Sequence, residues 1–293
     1  MDIAATSLLL SNRQRAPVFI HGTAQCQYFE FPKYVMYYVL KNPKSPKQWK
    51  KAVQTCKWFF DENPIIVIPC LHFDRNYTFD GYATCSTGDC NDVHDRHINL
   101  MNGQYKIWIT QNLDIKNEAN VAQSLVSRIF KCDAKTANLR NQVLTSFKEF
   151  LFLIPEVVDL SFYGVIKEND SKFVSFDKIL KHLPKLEEIR YFFKPNGSDI
   201  TPDTVKNLSE MENLKKLKKM TLHHIRPAFD FDAFLKFMLE NKHILFVLLF
   251  YRQSTTEEYM VNVKAFAKTL KVEDYGDHQR PEIRYNHANL VWG

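Results

Sequence analysis

The chain has 293 residues, 45% of them apolar and 25% charged, an ordinary globular usage that excludes collagen-like and wholly disordered structure, and a length that fits about two domains. Its longest uninterrupted apolar run, residues 244–251, falls far short of the ~20 residues a membrane-spanning helix needs, so no membrane partner is expected. Asp2 stands where a secretory signal wants positive charge, residues 8–10 are too short for its apolar stretch, and six cysteines are too sparse for a disulfide framework, so the expected location is the cytoplasm or nucleus.

The formal net charge is +6, and it is not spread evenly. Residues 27–60 hold Lys33, Lys41, Lys44, Lys47, Lys50, Lys51 and Lys57 against the single acid Glu30, so the whole excess lies there. A concentrated field of one sign favours a partner of the other. The same segment has helical patterning: Val35, Met36, Val39 and Leu40 share one face, and Asn42 before Pro43 ends that helix. Ser45 as N-cap, Pro46 at the first helical position and Gln48 three residues on then open a second helix. Trp49, Ala52, Val53, Cys56 and Phe60 continue its apolar stripe as far as Asn63 and Pro64. A unit this small buries too little surface to stand alone.

Phe31 and Pro32, then Val35, Val39 and Leu40, then Trp49, then Cys56, Lys57 and Trp58 form a pattern that resembles the F-box, and the wording of the segment resembles the nematode-expanded group of F-box-like proteins. The departure is the linker from Asn42 to Pro46, with two prolines and no acid. The resemblance implies that these nine residues dock on the Skp adaptor of a cullin–RING ubiquitin ligase, an acidic partner suited to the lysines.

From Phe147 onward, an apolar residue followed by others at +3, +4 and +7 recurs every 29 residues, beginning at Phe147, Phe176, Val205, Phe234 and Val263, with a weaker copy at Val121, Ala122 and Leu125. After four of these helices comes a strand with leucine-like spacing: Val157/Leu160/Phe162, Leu186/Ile189/Tyr191, Leu217/Met220/Leu222 and Ile244/Val247/Leu249. Thr145, Ser175 and Thr201 precede three of the helices as caps. One helix and one strand per period cannot bury their own apolar faces and must stack on their neighbours. The pattern resembles leucine-rich repeats, although the usual asparagine position holds Val165, Lys194, Ile225 and Arg252. The expected fold is α/β: a small N-terminal helical F-box-like module followed by a leucine-rich-repeat-like α/β solenoid with parallel strands. The expected divisions are a tail over 1–24, the module over 25–70, a linker and cap over 71–117, the repeats over 118–275 and a tail over 276–293. The alternation of Tyr105, Ile107 and Ile109 with Lys106, Trp108 and Thr110 predicts a capping strand in the third of these.

Alternation also predicts which side chains the strands display. Tyr163, Arg190, Phe192, His223, Phe246 and Phe250 are the candidate substrate-binding residues, with residues 283–292 as a cover for the apolar end. No catalytic residue is expected, since no phosphate-cradling glycine loop, nucleophile elbow or His-Glu-x-x-His helix is present. No cofactor is expected either. The one metal-like group, Cys85, Cys90, His94 and His97, matches no common finger spacing and reads as a solvated loop with incidental cysteines. The functional expectation is a non-catalytic adaptor that joins the Skp adaptor and cullin ligase core to a protein substrate. The alternative is a nucleic-acid binder using the lysine-rich helices with Tyr34, Tyr37 and Tyr38 interleaved.

Overall fold

The computed structural model describes residues 32–74, 81–85, 90, 96–98, 100, 103–168, 172–194, 197–269, 275–276, 278–286 and 288–289. The chain forms two units, Met1–Pro43 and Lys44–Gly293. In the first, helix α1 (Lys33–Lys41) ends where Pro43 requires, with both nitrogens of Asn42 bonded to the Tyr38 carbonyl. Leu40 is its buried residue, and Tyr34, Tyr37, Tyr38 and Val39 are exposed.

The second unit opens with α2 (Pro46–Thr55), whose first turn is capped as the sequence predicts: the Gln48 N–H donates to Ser45 Oγ over 3.2 Å, and Pro46 occupies the first position. Helix α3 (Trp58–Glu62) follows and stops before Pro64. The strands then run β1 (Ile65–Phe73), β2 (Tyr82–Thr84), β3 (Arg96–His97), β4 (Lys106–Ile115), β5 (Ile129–Cys132) and β6 (Thr136–Leu144), with α4 (Val121–Leu125) before β5. From there helix and strand alternate: α5 (Phe147–Leu153), β7 (Asp159–Ile166), α6 (Phe176–Lys181), β8 (Glu188–Phe192), α7 (Thr204–Ser209), β9 (Lys219–His223), α8 (Phe231–Glu240), β10 (Leu245–Phe250), α9 (Glu257–Thr269) and β11 (Glu282–Tyr285), with β12 (Ala288–Asn289) last. The fold is α/β, with an open, mostly parallel sheet ordered β12-β11-β10-β9-β8-β7-β6-β4-β1-β2-β3 and β5 on β4; β2, β3 and β12 pair antiparallel.

The four predicted strand segments lie side by side: β7, β8, β9 and β10 are parallel neighbours in chain order. Each is preceded by a helix whose apolar stripe packs on the same side of the sheet. Phe150 meets Phe162, Phe176 meets Tyr191 and Phe234 meets Phe246, with ring centroids 4.6–5.7 Å apart. Edge-on and tilted aromatic pairs add to the area buried, so this side of the sheet is the core.

Three expectations are corrected. The division at 70/71 falls inside β1, and the stretch expected to link and cap contributes β4, an interior strand whose Ile107, Trp108 and Ile109 are all fully buried. A strand flanked by parallel neighbours has both faces covered, so its alternation of polar and apolar types does not make it a cap. At the other end, residues 282–285 extend the sheet as β11 beside β10 instead of covering its face. Finally, Phe246 and Phe250 face the core, at 1% and 0% exposure. The register pairs Leu245 with Lys219, Val247 with Thr221 and Leu249 with His223, so the displayed set on β10 is one residue out of step with the expectation.

Candidate metal centre and the open sheet face

Cys70 and His72 are two apart on β1 and therefore point to one side of the strand. Strand β2 returns antiparallel beside it, pairing His72 with Ala83, and Cys85 follows directly, its backbone N–H donating to Cys70 Sγ over 2.9 Å. Cys90 completes the group. Its Sγ lies 3.7 Å from Cys85 Sγ and 3.2 Å from His72 Nε2, Cys85 Sγ lies 3.6 Å from the same nitrogen, and all four donor atoms fall within 4.8 Å of one another. Cys70, His72 and Cys85 are buried and Cys90 is half-buried.

The surroundings of this quartet are set by register. Strand β4 runs parallel to β1 with Asn112 opposite Cys70 and Asp114 opposite His72. Asn112 Nδ2 donates to Cys90 Sγ over 3.0 Å. Asp114 Oδ2 lies 3.4 Å from His72 Nδ1 and 2.6 Å from Lys116 Nζ, while its Oδ1 accepts from Asn138 Nδ2 at 2.8 Å. Burial opposes charge on His72, but Asp114 and Cys70 outweigh it and hold the imidazole up at about 10. Burial also penalises a Cys70 thiolate, and hydrogen bonds from His72, Cys85 and Thr84 reverse that and bring it down to about 6. Burial together with Cys70 and Cys90 pushes the Cys85 thiol up. The group thus stabilises negative charge on sulfur and positive charge at its centre.

The sequence reading had placed Cys85 and Cys90 with His94 and His97. His94 lies outside the described residues, and of His97 only the backbone is described, paired with Ala83 in β3. Cys70 and His72 complete the quartet instead. The signal for them was the Cys-x-His alternation on a strand, which a search for closely spaced ligands in a loop passes over.

The same registers carry this group across the sheet. His72, Asp114, Asn138, Ser161, Arg190, Thr221, Val247 and Glu282 form one transverse row on the side away from the helices. A neighbouring row pairs Arg140 with Tyr163 and Phe192 with His223. Tyr163 and Phe192 have centroids 5.4 Å apart, Phe192 stacks on His223 at 3.9 Å, and His223 Nδ1 lies 3.2 Å from the Tyr251 hydroxyl. A third row brings Asp159 against Glu188, and burial plus that facing carboxylate raise Asp159. Tyr163, Arg190, Phe192 and His223 therefore share one open face; Phe246 and Phe250 do not.

The residues expected to meet the Skp adaptor divide likewise. Phe31 lies outside the described residues, Pro32, Val39 and Lys57 are exposed, Val35 and Trp58 are half-buried, and Leu40 is buried. Trp49 and Cys56, each 2% exposed, are corrected to interior residues: Trp49 Nε1 donates to the Ile65 carbonyl over 3.0 Å and its ring meets Phe59 edge-on. The apolar stripe that marks a docking helix also marks a helix anchored on its own sheet. Among the described residues no helix is long and apolar enough to cross a membrane. Compared with protein families, characterised proteins and solved structures, the chain matches none.

Proposed function

We propose that this chain is a non-catalytic substrate-recognition adaptor of a Skp–cullin–F-box ubiquitin ligase, working in the cytosol or nucleus. The N-terminal helices form an F-box-like module that docks on the Skp adaptor. The strand–helix units from Val121 onward form a leucine-rich-repeat-like solenoid that holds a protein substrate. The observation that carries the reading is the open face of the parallel sheet, where Tyr163, Phe192, His223 and Tyr251 make a continuous aromatic row beside charged Arg190, Asp159 and Glu188. Rigid aromatic rings among charged groups, mounted on strands, are what protein recognition surfaces use. Support for the docking half comes from α1, which exposes Tyr34, Tyr37, Tyr38 and Val39, and from Lys33, Lys41, Lys44, Lys47, Lys50, Lys51 and Lys57, all exposed. Ubiquitin transfer would be done by the ligase partners, and this chain's part would be positional.

The test is capture of purified Skp adaptor by the full chain, with Pro32→Ala plus Val39→Ala as the binding variant, since both residues are exposed. Loss of capture with an unchanged unfolding midpoint supports the reading. Absence of capture by the unaltered chain, or full capture by the double variant, overturns the docking half. The exposed lysines and tyrosines favour one second reading, a nucleic-acid backbone as the acidic partner. Its mark would be an affinity for RNA or DNA that falls steeply with salt.

A further inference from the structure

We propose that Cys70, His72, Cys85 and Cys90 bind one zinc ion in a closed tetrahedral site that clasps β1 to the β2–β3 edge of the sheet. The inference is independent of the adaptor reading. Zinc with Zn–S bonds of about 2.3 Å and a Zn–N bond of about 2.0 Å sets tetrahedral edges of about 3.8 Å between sulfurs and about 3.5 Å from sulfur to nitrogen. The 3.7 Å Cys85–Cys90 edge and the 3.6 and 3.2 Å edges to His72 Nε2 lie at those values. Three sulfurs and one imidazole nitrogen are the donor types that borderline-soft zinc selects over magnesium or calcium.

The outer groups match as well. A ligating imidazole ordinarily donates its other ring N–H to a carboxylate, which fixes the tautomer, and Asp114 is at Nδ1 while Nε2 faces the sulfurs. Two amide N–H groups, from Cys85 and Asn112, point at sulfur atoms, where they stabilise thiolates. Lys116 offsets the surplus negative charge at Asp114. A Cys85–Cys90 disulfide would need the sulfurs at about 2.05 Å and would leave Cys70 and His72 with no role. With four protein ligands the site keeps no open position, which makes it structural rather than catalytic.

The fold supplies the need. Strands β2 and β3 have three and two residues, and β2 shares two paired positions with β1. So short a ladder holds a sheet edge weakly, and a metal bridging Cys70 and His72 on β1 to Cys85 and Cys90 beyond β2 replaces the missing backbone bonds.

The experiment is elemental analysis of the untagged full chain, purified under reducing conditions, followed by cobalt exchange. One zinc per chain, and a cobalt form with the strong visible bands and sulfur charge-transfer absorption of tetrahedral thiolate coordination, are the expected results. Cys90→Ser should lose the stoichiometric metal, Cys132→Ser should keep it, and His72→Cys should keep it with the cobalt bands shifted toward four-thiolate coordination. Should Cys90→Ser fail to fold, the unaltered chain still decides. A chain purified without zinc, an octahedral cobalt spectrum, or a native mass short by the two hydrogens of a Cys85–Cys90 disulfide would overturn the proposal.

Discussion

Asp114 on β4 stands directly across from His72 on β1, its Oδ2 3.4 Å from the imidazole Nδ1, and its other oxygen accepts from Asn138 on β6. One carboxylate thereby joins the Cys/His quartet to the polar face of the sheet. If it orients the imidazole, Asp114→Ala should weaken zinc binding by about 10–100-fold while leaving one metal per chain at saturation. Competition with a chelator of known affinity measures this. An affinity unchanged from the unaltered chain would remove Asp114 from that role.

The two faces of β10 give a second prediction. Phe246 packs edge-on against Phe234 and Phe237 in the core, whereas Tyr163 on β7 is 41% exposed on the open face. Phe246→Ala should cost about 3–5 kcal/mol by transfer and cavity terms together. Tyr163→Ala should cost no more than the ~0.5–1.5 kcal/mol of its ring contact with Phe192. Urea unfolding of both variants checks the pair, and equal losses would mean that the register of the sheet is misassigned.

The contrast also marks what the sequence could carry. The 29-residue period placed β7, β8, β9 and β10 in order because Leu160, Ile189, Met220 and Leu248 alternate with polar residues on half-buried strands. It failed to tell the faces of β10 apart because 244–250 is continuously apolar, so alternation has no polar partner to read. The Cys85–Cys90 half of the metal group was visible as a local spacing. Its other half depended on β1 and β2 lying side by side, which no local window shows. The missing asparagine ladder has a long-range substitute of the same kind: buried Asp199 accepts from the Lys194 N–H and from the Tyr191 hydroxyl, closing the turn after β8 from five residues downstream.

Trp49 gives a third prediction. It is an interior residue of the second unit, bonded through Nε1 to the Ile65 carbonyl at the start of β1. Trp49→Phe should lose that hydrogen bond and leave a buried carbonyl short of a donor, a cost of about 1–3 kcal/mol. Trp49→Ala should cost about 3–5 kcal/mol. Denaturant unfolding distinguishes this from a purely docking role, in which both variants would keep the native midpoint.

His224 gives the last prediction, because its backbone and its charge can be separated. It sits just past β9 with φ of 56°, a left-handed conformation that asparagine tolerates better than most residues. Its ring stacks on Tyr251 with centroids 4.3 Å apart. Burial, and then the positive charge of Arg226, hold its pKa below the ordinary 6.5. In the window between that lowered value and 6.5 the unfolded chain takes up a proton at His224 that the folded chain refuses, so acid favours unfolding there and stability climbs with pH toward 6.5. Above 6.5 the residue is neutral in both states and contributes no slope; below the folded value it is protonated in both. His224→Asn should retain the turn and lose this share of the pH dependence. The difference in unfolding free energy between the two proteins should therefore shift in favour of the variant as the pH is lowered from about 8 to about 5. Urea titrations at both pH values measure it, and parallel curves would show that the ring is as readily protonated in the fold as in the open chain.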